Sequence, residues 1–575
     1  MAASIPADML VRMRTFGDCL RYLRRRAAMT QTELSIAVGY SDAQISRLEQ
    51  NLRLPNIPTI QARFIPALRL KHEPAAIDRL LQLALTAQQA KAAAIGQIGG
   101  ATAAGLSPSI VVLPFVNLSP DPENEYFCDG LSEELINALA KLEHLFVVAR
   151  ASAFAFKGRD IDVREICRTL KVGHVLEGSV RKSGERLRIT AQLINADTGF
   201  HLWSERFDRQ ITDLFEIQDD ITLAIVEKLK IKLLERDTRE LLNPRRQDDL
   251  AAYNLYLKGR YYWAQRPQGI NKAIEFFDQA IAKDPDYALA RAGLADCYVT
   301  LGSWENGTLP PILAMSKARA AANKALELDD RLGEAHATLA YRTTHYDWDW
   351  QAAEQQFRRA FELTPNYAVA HHWYSHYLTA VGRAEESLAA SKRCLELDPL
   401  DLVINIHMAW HHQFARQYDE AVEQCWRTKE LHPNSFWLPY FFALAYEQQG
   451  KTGEAISEFE KALQMSSNVT FVTAGLGHLY AARGEDSKAT AIVQSLRARA
   501  QAMYVPAYDI GLVYAGLGWS DQAFEFLYKA YEERSGWLTY LKVEPRLDNL
   551  RSDPRFKTLL ERVKLADRVE NIDAA

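Results

Sequence analysis

Pro365, Pro399 and Pro433 stand 34 residues apart, and Ser467 falls one period later. Small and aromatic residues recur at fixed offsets before them: Ala353, Phe357 and Ala360 before Pro365, then Ala455, Phe459 and Ala462 before Ser467. Gly259, Tyr262, Ala273, Phe277, Ala280 and Pro285 set out the same pattern earlier. The physics is that of a helix pair. Alanine and glycine let two helices approach, the aromatic ring fills the space between them, and proline ends the second helix. One pair cannot bury its apolar face alone, so the units must stack. About eight are expected over residues 250–565, four of them in register across 334–467, with an insert at GSWENGTLPPILAM in the second.

This period and these positions resemble the tetratricopeptide repeat. The resemblance implies an α-solenoid whose concave side, lined by outward positions of each first helix, holds a protein or extended peptide. In register those positions include Thr338, Arg342 and His345, then His372, His376 and Thr379. Ile406, Trp410 and Gln413 follow, then Tyr440, Leu444 and Glu447. Such a lining suits stacking and hydrogen bonding more than ion pairing. His372 and His376 have the i,i+4 spacing of a metal pair, but no third ligand stands at a fixed offset, so they read as packing or surface histidines and no metal is expected. Trp437 and Tyr440 are the aromatics expected to be exposed.

At 575 residues three or four domains are expected. No run of 18 uncharged apolar residues predicts a membrane span, and MAASIPADMLVRMRTF lacks the apolar core of a secretory signal. Six scattered cysteines, without a CxxC pair, fit reduced thiols in a cytosol and argue against a zinc or disulfide frame. The net charge of −5 is uneven. Eleven Lys and Arg against six Asp and Glu up to Pro74 leave that head at +5 and the remainder at −10. A basic head suits a polyanion.

In that head, TQTELSIAVG predicts a helix from Thr30 with Leu34 and Ala37 inward. Gly39 supplies the turn, and Ser41 caps a second helix whose Ile45 and Leu48 face the core. With Leu20, Arg21, Leu23, Arg24, Gln31, Glu33, Ser46, Glu49, Arg53 and Pro55, this resembles the helix-turn-helix of the phage-repressor (Xre) type, Asn51 standing where that family usually has glycine. The resemblance implies that the second helix enters the major groove of double-stranded DNA. Asp42, Ala43, Gln44 and Arg47 would then meet base edges, Gln44 pairing with adenine, Arg47 with guanine and Asp42 with cytosine. Gln31, Ser46 and Arg53 would hold phosphates. A carboxylate at Asp42 repels phosphate and favours the rival reading, a head that folds but binds protein. Operator recognition of this kind implies a homodimer.

After a Gly/Ala/Ser/Pro-rich linker, the pattern changes at Ser109. SIVVLPF reads as a buried strand, 132–145 as a helix starting at Ser132, FVVAR (146–150) as a strand, and 163–172 as a helix. Residues 173–208 alternate apolar and polar with turns at KSGE and ADTG, and 217–234 forms a closing amphipathic helix. The segments VVLPFVNLSPDPENEYFCDGLSEELINALAKL and HVLEGSVRKSGERLRITAQLINADTGFHLWSERFDR resemble the TolB-like amino-terminal domain of bacterial signalling proteins, with Cys128 in place of the usual alanine. That domain type brings no catalytic residues. Glu133-Glu134 and Asp219-Asp220 read as surface charge, and Glu177, Ser179 and Arg181 share one strand face that reads as solvent-facing, with a small-molecule groove as the alternative. No Walker loop, GxSxG or HExxH pattern occurs.

The expected architecture is multidomain and mainly α. An all-α helix-turn-helix head spans 1–83, a linker 84–108, an α/β TolB-like domain 109–235 and an α-solenoid 250–565. The expected function is a cytoplasmic bacterial transcriptional regulator, not an enzyme, without a cofactor and without a membrane anchor. Its body senses a peptide, protein or small ligand. The rivals are a signalling scaffold with a head that does not bind DNA, and a peptide-pheromone receptor.

Overall fold

The computed structural model describes residues 15–27, 29–38, 42–49, 59–70, 73–98, 108–196, 198–229, 231, 249–303, 309–466 and 469–566, with the side chains of 42–44, 47 and 87–98 outside the description. The chain divides into two compact units, Met1–Leu106 and Ser107–Ala575.

In the first unit, α1 (Phe16–Arg26), α2 (Gln31–Val38) and α3 (Asp42–Glu49) precede a π turn at Ile60–Phe64 and α4 (Pro74–Ile98). Thr15 caps α1 by accepting from the Asp18 amide, and Arg24, Arg25 and Arg26 close it at the negative end of the helix dipole. Thr30 and Glu33 form a reciprocal capping box at α2. Thr30 Oγ1 accepts from the Glu33 amide at 3.1 Å, and Glu33 accepts from the Thr30 amide at 2.7 Å. Phe16, Leu20, Leu23, Leu34, Ile45, Leu48 and Leu80 share one core. Ala37 is exposed rather than inward, because the buried stripe of α2 runs through Leu34, Ser35 and Val38. Gly39, Ser41, Asn51, Arg53 and Pro55 lie outside the described residues. The expected linker opens as helix, since α4 continues to Ile98.

The second unit begins with a mixed sheet in the order β3 (Phe146–Val147), β1 (Ser109–Val112), β4 (His174–Ser183), β5 (Arg186–Asn195), β6 (His201–Gln210). β1 runs parallel to β3 and β4, β2 (Val116–Asn117) continues beside β4, and β4–β5–β6 are antiparallel. The β4–β5 turn carries Gly184 at φ 60, where a larger residue would be strained. Four helices accompany the sheet: α5 (Glu125–Ala140), α6 (Arg150–Phe154), α7 (Val163–Leu170) and α8 (Leu214–Lys228). α5 starts seven residues before the expected Ser132. That serine is buried within it, donating to the Cys128 carbonyl at 3.0 Å and accepting from the Phe115 amide at 2.9 Å. Its hydroxyl joins the segment between β1 and β2 to α5 instead of capping a helix. The expected strand at 146–150 stops at Val147, because Arg150 opens α6.

Eight helix pairs follow among the described residues: α9 (Leu250–Trp263) with α10 (Ile270–Lys283), α11 (Ala288–Gly302) with α12 (Pro311–Leu328), α13 (Gly333–Arg342) with α14 (Trp350–Leu363), and α15 (Ala368–Ala380) with α16 (Ala384–Leu397). Then come α17 (Leu402–Phe414) with α18 (Tyr418–Leu431), α19 (Trp437–Gln448) with α20 (Thr452–Met465), α21 (Thr470–Ala482) with α22 (Asp486–Arg499), and α23 (Ala507–Gly516) with α24 (Ser520–Glu532). The period is written in the backbone too. Trp348, Gly382, Arg416, Gly450, Gly484 and Gly518, each 34 residues from the next, all have positive φ at the turn inside a pair. The close packing is equally direct, since a Cβ added at Gly259 or Gly293 would stand 2.5 Å from the Phe277 ring.

After α24, two 3₁₀ turns, Gly536–Tyr540 and Pro545–Leu550, lead to α25 (Pro554–Arg562). Trp537, Leu538, Tyr540, Leu541 and Leu547 are buried in the core of the repeats. The sheet domain is docked on the repeats as well, since one apolar cluster runs from Ile110 to Leu301. Polar contacts extend the dock. Ala149 donates to the Leu397 carbonyl at 2.8 Å, Asn366 Nδ2 to the Leu142 and Leu145 carbonyls at 3.0 and 2.8 Å, and the Ser152 amide to Asp398 at 2.7 Å.

Candidate functional sites

A buried carboxylate ties three helices of the head together around its apolar core. Glu49 at the end of α3 receives Arg24 Nε at 2.5 Å and Nη2 at 3.0 Å, and Gln31 Nε2 at 2.9 Å. Arg24 also reaches the Met29 carbonyl at 2.8 Å, and Arg21 the Glu49 carbonyl at 3.0 Å. Burial alone would raise the Glu49 carboxyl, but Arg24 and Gln31 hold it below the ordinary range. Three helices are thereby fixed in angle, as a groove-reading helix requires. Of the expected DNA contacts, Gln31 gives an amide proton to Glu49, Ser46 is half-buried, and Arg53 lies outside the described residues. Asp42, Ala43, Gln44 and Arg47 stand on α3, with side chains outside the description.

A second site lies between the sheet domain and the first repeats, a cavity of about 740 Å³. Its walls include Glu134, Asp219, Tyr253, Tyr256, Asp296 and Tyr367. Three of its carboxyls are displaced upward to about 6. Burial is the main cause for each, with repulsion from Glu133 at Glu134 and from Asp220 at Asp219, while Arg260 pulls the other way at Asp296. Such groups gain from a proton or from a cationic guest. Glu133 was expected on the surface. It is instead buried, ion-paired to Arg150 at 2.9 Å and to Arg260 of the first repeat, whose Nε donates to it at 2.8 Å. Adjacent acids on a helix point in different directions, so one joins the dock while its neighbour faces the cavity, where Tyr256 donates to Glu134 at 3.2 Å.

The third site is the concave face of the repeats, and it is occupied by the chain itself. Tyr540 packs edge-on against Trp410 with centroids 4.6 Å apart and stacks on Phe414 at 5.3 Å. Its hydroxyl lies 3.0 Å from His345 Nε2 and 2.8 Å from His376 Nδ1. Trp537 stacks on Tyr508 at 5.5 Å and meets Trp410 edge-on at 6.2 Å. Asp548 receives both terminal nitrogens of Arg416 at 2.8 and 2.9 Å, on one of the left-handed turns. His478 contacts the Arg546 carbonyl at 3.1 Å and Glu447 at 2.7 Å.

The residues expected to line an open partner surface are therefore placed otherwise. Thr338 donates to Asp296, and Arg342 to the Met315 carbonyl and Asp347. His345, His376, Trp410, Gln413, Tyr440 and Leu444 are buried. Tyr440, expected to be exposed, is 1% exposed and packs on Phe459 and Phe471. Periodicity places these positions inward correctly. It carries no sign that residues 536–550 return to cover them. The signal that marks the cover is the aromatic and apolar run GWLTYLKVEPRLDNL after the last helix pair.

Comparison with known proteins assigns the parts. Residues 15–91 match a helix-turn-helix domain, 106–224 match the HilA/YgeH-like transcriptional regulator second domain, and 270–306 and 440–469 match tetratricopeptide repeats. The chain thus carries a helix-turn-helix domain, a HilA-like regulator domain and tetratricopeptide repeats. The middle domain takes the HilA/YgeH-like assignment in place of the TolB-like one expected from its segments. A Rhizobium meliloti protein named "Putative adenylate cyclase 3" is 41% identical over 238 residues, covering 40% of each chain. Tetratricopeptide repeat protein 37 of Xenopus laevis is 26% identical over 243 residues, covering 41% of this chain and 15% of its own length. The chain thus spans less than half the length of these curated relatives. Among solved structures, YrrB, a tetratricopeptide repeat protein with an unusual peptide-binding site, aligns over 34% of this chain and 95% of its own at 18% identity and TM-score 0.25. The type IV pilus biogenesis factor PilW aligns over 36% and 93% at 19% identity and TM-score 0.30. Among the described residues no helix is long and apolar enough to cross a membrane.

Proposed function

We propose that the protein is a cytoplasmic DNA-binding transcriptional regulator, not an enzyme, whose docked body responds to a small cationic ligand held in the cavity between the HilA-like domain and the first repeats. The observation that carries the DNA reading is the helix-turn-helix match over 15–91, together with the three-helix frame locked by Arg24, Gln31 and Glu49. Gln44 and Arg47 read bases, with Asp42 and Ala43 beside them, and Ser46, Arg53 and the second amide proton of Gln31 hold phosphates. The ligand class follows from the cavity, in which three acids with raised proton affinity stand among tyrosine faces, a setting for an ammonium or guanidinium group. Control requires the ligand to prefer one state of the protein over another.

A protein partner of the repeats docks on their outer surface or displaces residues 536–550, because those residues fill the concave face. The same filling disfavours a receptor that holds an extended peptide there. Full-length protein should retain specific duplexes, and Gln44→Ala with Arg47→Ala should abolish that retention while circular dichroism stays unchanged. Absence of duplex binding by the intact protein at low salt would favour the scaffold reading. For the cavity, thermal stabilisation by aliphatic diamines and guanidines should disappear in Asp219→Asn. Equal stabilisation of that variant by the same compounds would remove the cavity from the account.

A further inference from the structure

His372 and His376 lie one turn apart on α15, and His407 lies on α17, the equivalent helix of the next repeat. His372 Nε2, His376 Nε2 and His407 Nδ1 form a nearly equilateral triangle with edges of 2.9, 3.0 and 3.1 Å. His376 and His407 are buried, while His372 is half-buried and opens the cluster toward solvent.

The proton positions at this triangle follow from its neighbours. His345 Nδ1 lies 3.0 Å from the Tyr341 carbonyl, which can only accept, so that nitrogen carries the proton. With the proton on Nδ1, the neutral His345 ring presents Nε2 as an acceptor. The Tyr540 hydroxyl must then donate to His345 Nε2 and accept from His376 Nδ1. A neutral His376 ring with its proton on Nδ1 leaves Nε2 as a lone pair facing the triangle. With one corner bare, no neutral tautomer of the other two satisfies all three edges. One proton leaves a pair of lone pairs about 3 Å apart, and two protons compete for a single acceptor. A cation shared by three lone pairs removes the conflict.

We propose that His372, His376 and His407 bind one divalent first-row transition cation of the zinc or cobalt kind. With metal–nitrogen distances of about 2.0–2.1 Å, the ion would sit about 1.1 Å out of the plane of the three nitrogens, capping one face of its coordination sphere. Widening each edge by about 0.3 Å reaches the tetrahedral spacing. Imidazole donors without carboxylate or thiolate select this class over magnesium or calcium. The His376 Nδ1–H to Tyr540 bond is the outer hydrogen bond that fixes a ligating histidine. Because Tyr540 belongs to the segment filling the groove, the ion would bind the repeats more tightly to their own cover. His411 adds unused capacity beside the site. Its ring lies 4.9 Å from that of His376, Nδ1 is 2.7 Å from Ser391, and Nε2 is buried without a hydrogen-bond partner. This site is independent of the DNA reading and of the interdomain cavity.

The test is titration of chelator-treated full-length protein with Co²⁺, followed by Zn²⁺ displacement. One Co²⁺ per chain is expected, with the ligand-field absorption of a nitrogen-rich site and micromolar or tighter affinity. His407→Gln should weaken binding by more than about 100-fold, and Tyr540→Phe by about 10–100-fold, the range for losing an outer-shell partner. His412→Gln, on the same helix but outside the triangle, should bind as the wild type does. Folded wild-type protein that takes up neither ion at micromolar concentration overturns the proposal, and that titration decides even if a variant fails to fold. Undiminished uptake by folded His372→Gln or His407→Gln overturns it as well.

Discussion

Removing Glu133 should loosen the dock between the sheet domain and the repeats. The carboxylate is 5% exposed and faces two arginines, Arg260 at 14% and Arg150 at 22% side-chain exposure. Deleting one partner of a buried pair costs about 3–5 kcal/mol, because the remaining charge stays buried and unpaired. Two features favour the lower end here: Asp296 stands 3.6 Å from Arg260 and keeps part of its compensation, and Arg150 is partly solvated. About 3 kcal/mol corresponds to roughly a hundredfold in the opening equilibrium. Glu133→Ala in the full chain should therefore lower amide-exchange protection in α5 and α9 about a hundredfold, with α21 as an unchanged internal reference. Glu133→Gln retains the shape and an acceptor and should lose about half as much in free energy. Protection in α5 and α9 within about threefold of wild type for Glu133→Ala would show that this ion pair does not hold the dock.

The two buried clusters should respond to acid with opposite signs. Glu134, Asp219 and Asp296, raised to about 6, and Asp398, raised to about 7, bind protons more tightly folded than unfolded, so exchange protection of α5 and α8, corrected for intrinsic rates, should rise from pH 8 to about 5. Glu133 is held below the ordinary range, and its contribution is lost only as pH falls further through its folded value. In the metal-free protein His345, lowered to about 4, and His376, His407 and His411, held well below the ordinary imidazole value mainly by burial, bind protons more tightly unfolded, so protection of α15 and α17 should fall as pH drops below about 6.5. Parallel responses of the two regions would contradict this assignment. Trp537→Ala removes a ring packed on Tyr508 and Trp410 and should cost about 3–5 kcal/mol, read as faster exchange across 536–550. Unchanged exchange there would mean that the segment is held by other contacts. Glu49→Ala leaves Arg24 buried without its partner and should unlock α1 from α3, so duplex retention falls together with exchange protection of α1. A variant that keeps both would refute the role of that pair.

The parts with a period were legible. Glycine, alanine and aromatic offsets before Pro285, Pro365 and Ser467 report a helix pair because each pair must solve the same packing problem as the one before it. The β4–β5 hairpin was legible because Gly184 marks its turn and alternation marks its faces. What escaped depends on distant residues. Ser132 resembles a helix cap in its local surroundings, and only the approach of Phe115 shows why a hydroxyl is needed inside α5. Glu133 reads as surface charge until Arg260, 127 residues later, arrives beside it. His407 is one residue past the equivalent of His372, so the strict 34-residue offset does not mark it as a third ligand although it falls on the adjoining helix. Residues 536–550 have no period, and their place in the groove is set by Trp410, Phe414 and His376, which lie more than a hundred residues upstream.

The most direct test of the regulator account is binding of the full-length protein to a library of genomic duplexes over a range of salt. Enrichment of one sequence class is expected, with affinity that falls as salt rises because phosphate counterions are released, and with a loss of about 1–3 kcal/mol and relaxed specificity at one position in Arg47→Ala. Folded protein that shifts no duplex even at low salt, or an Arg47→Ala variant with unaltered sequence preference, would contradict it.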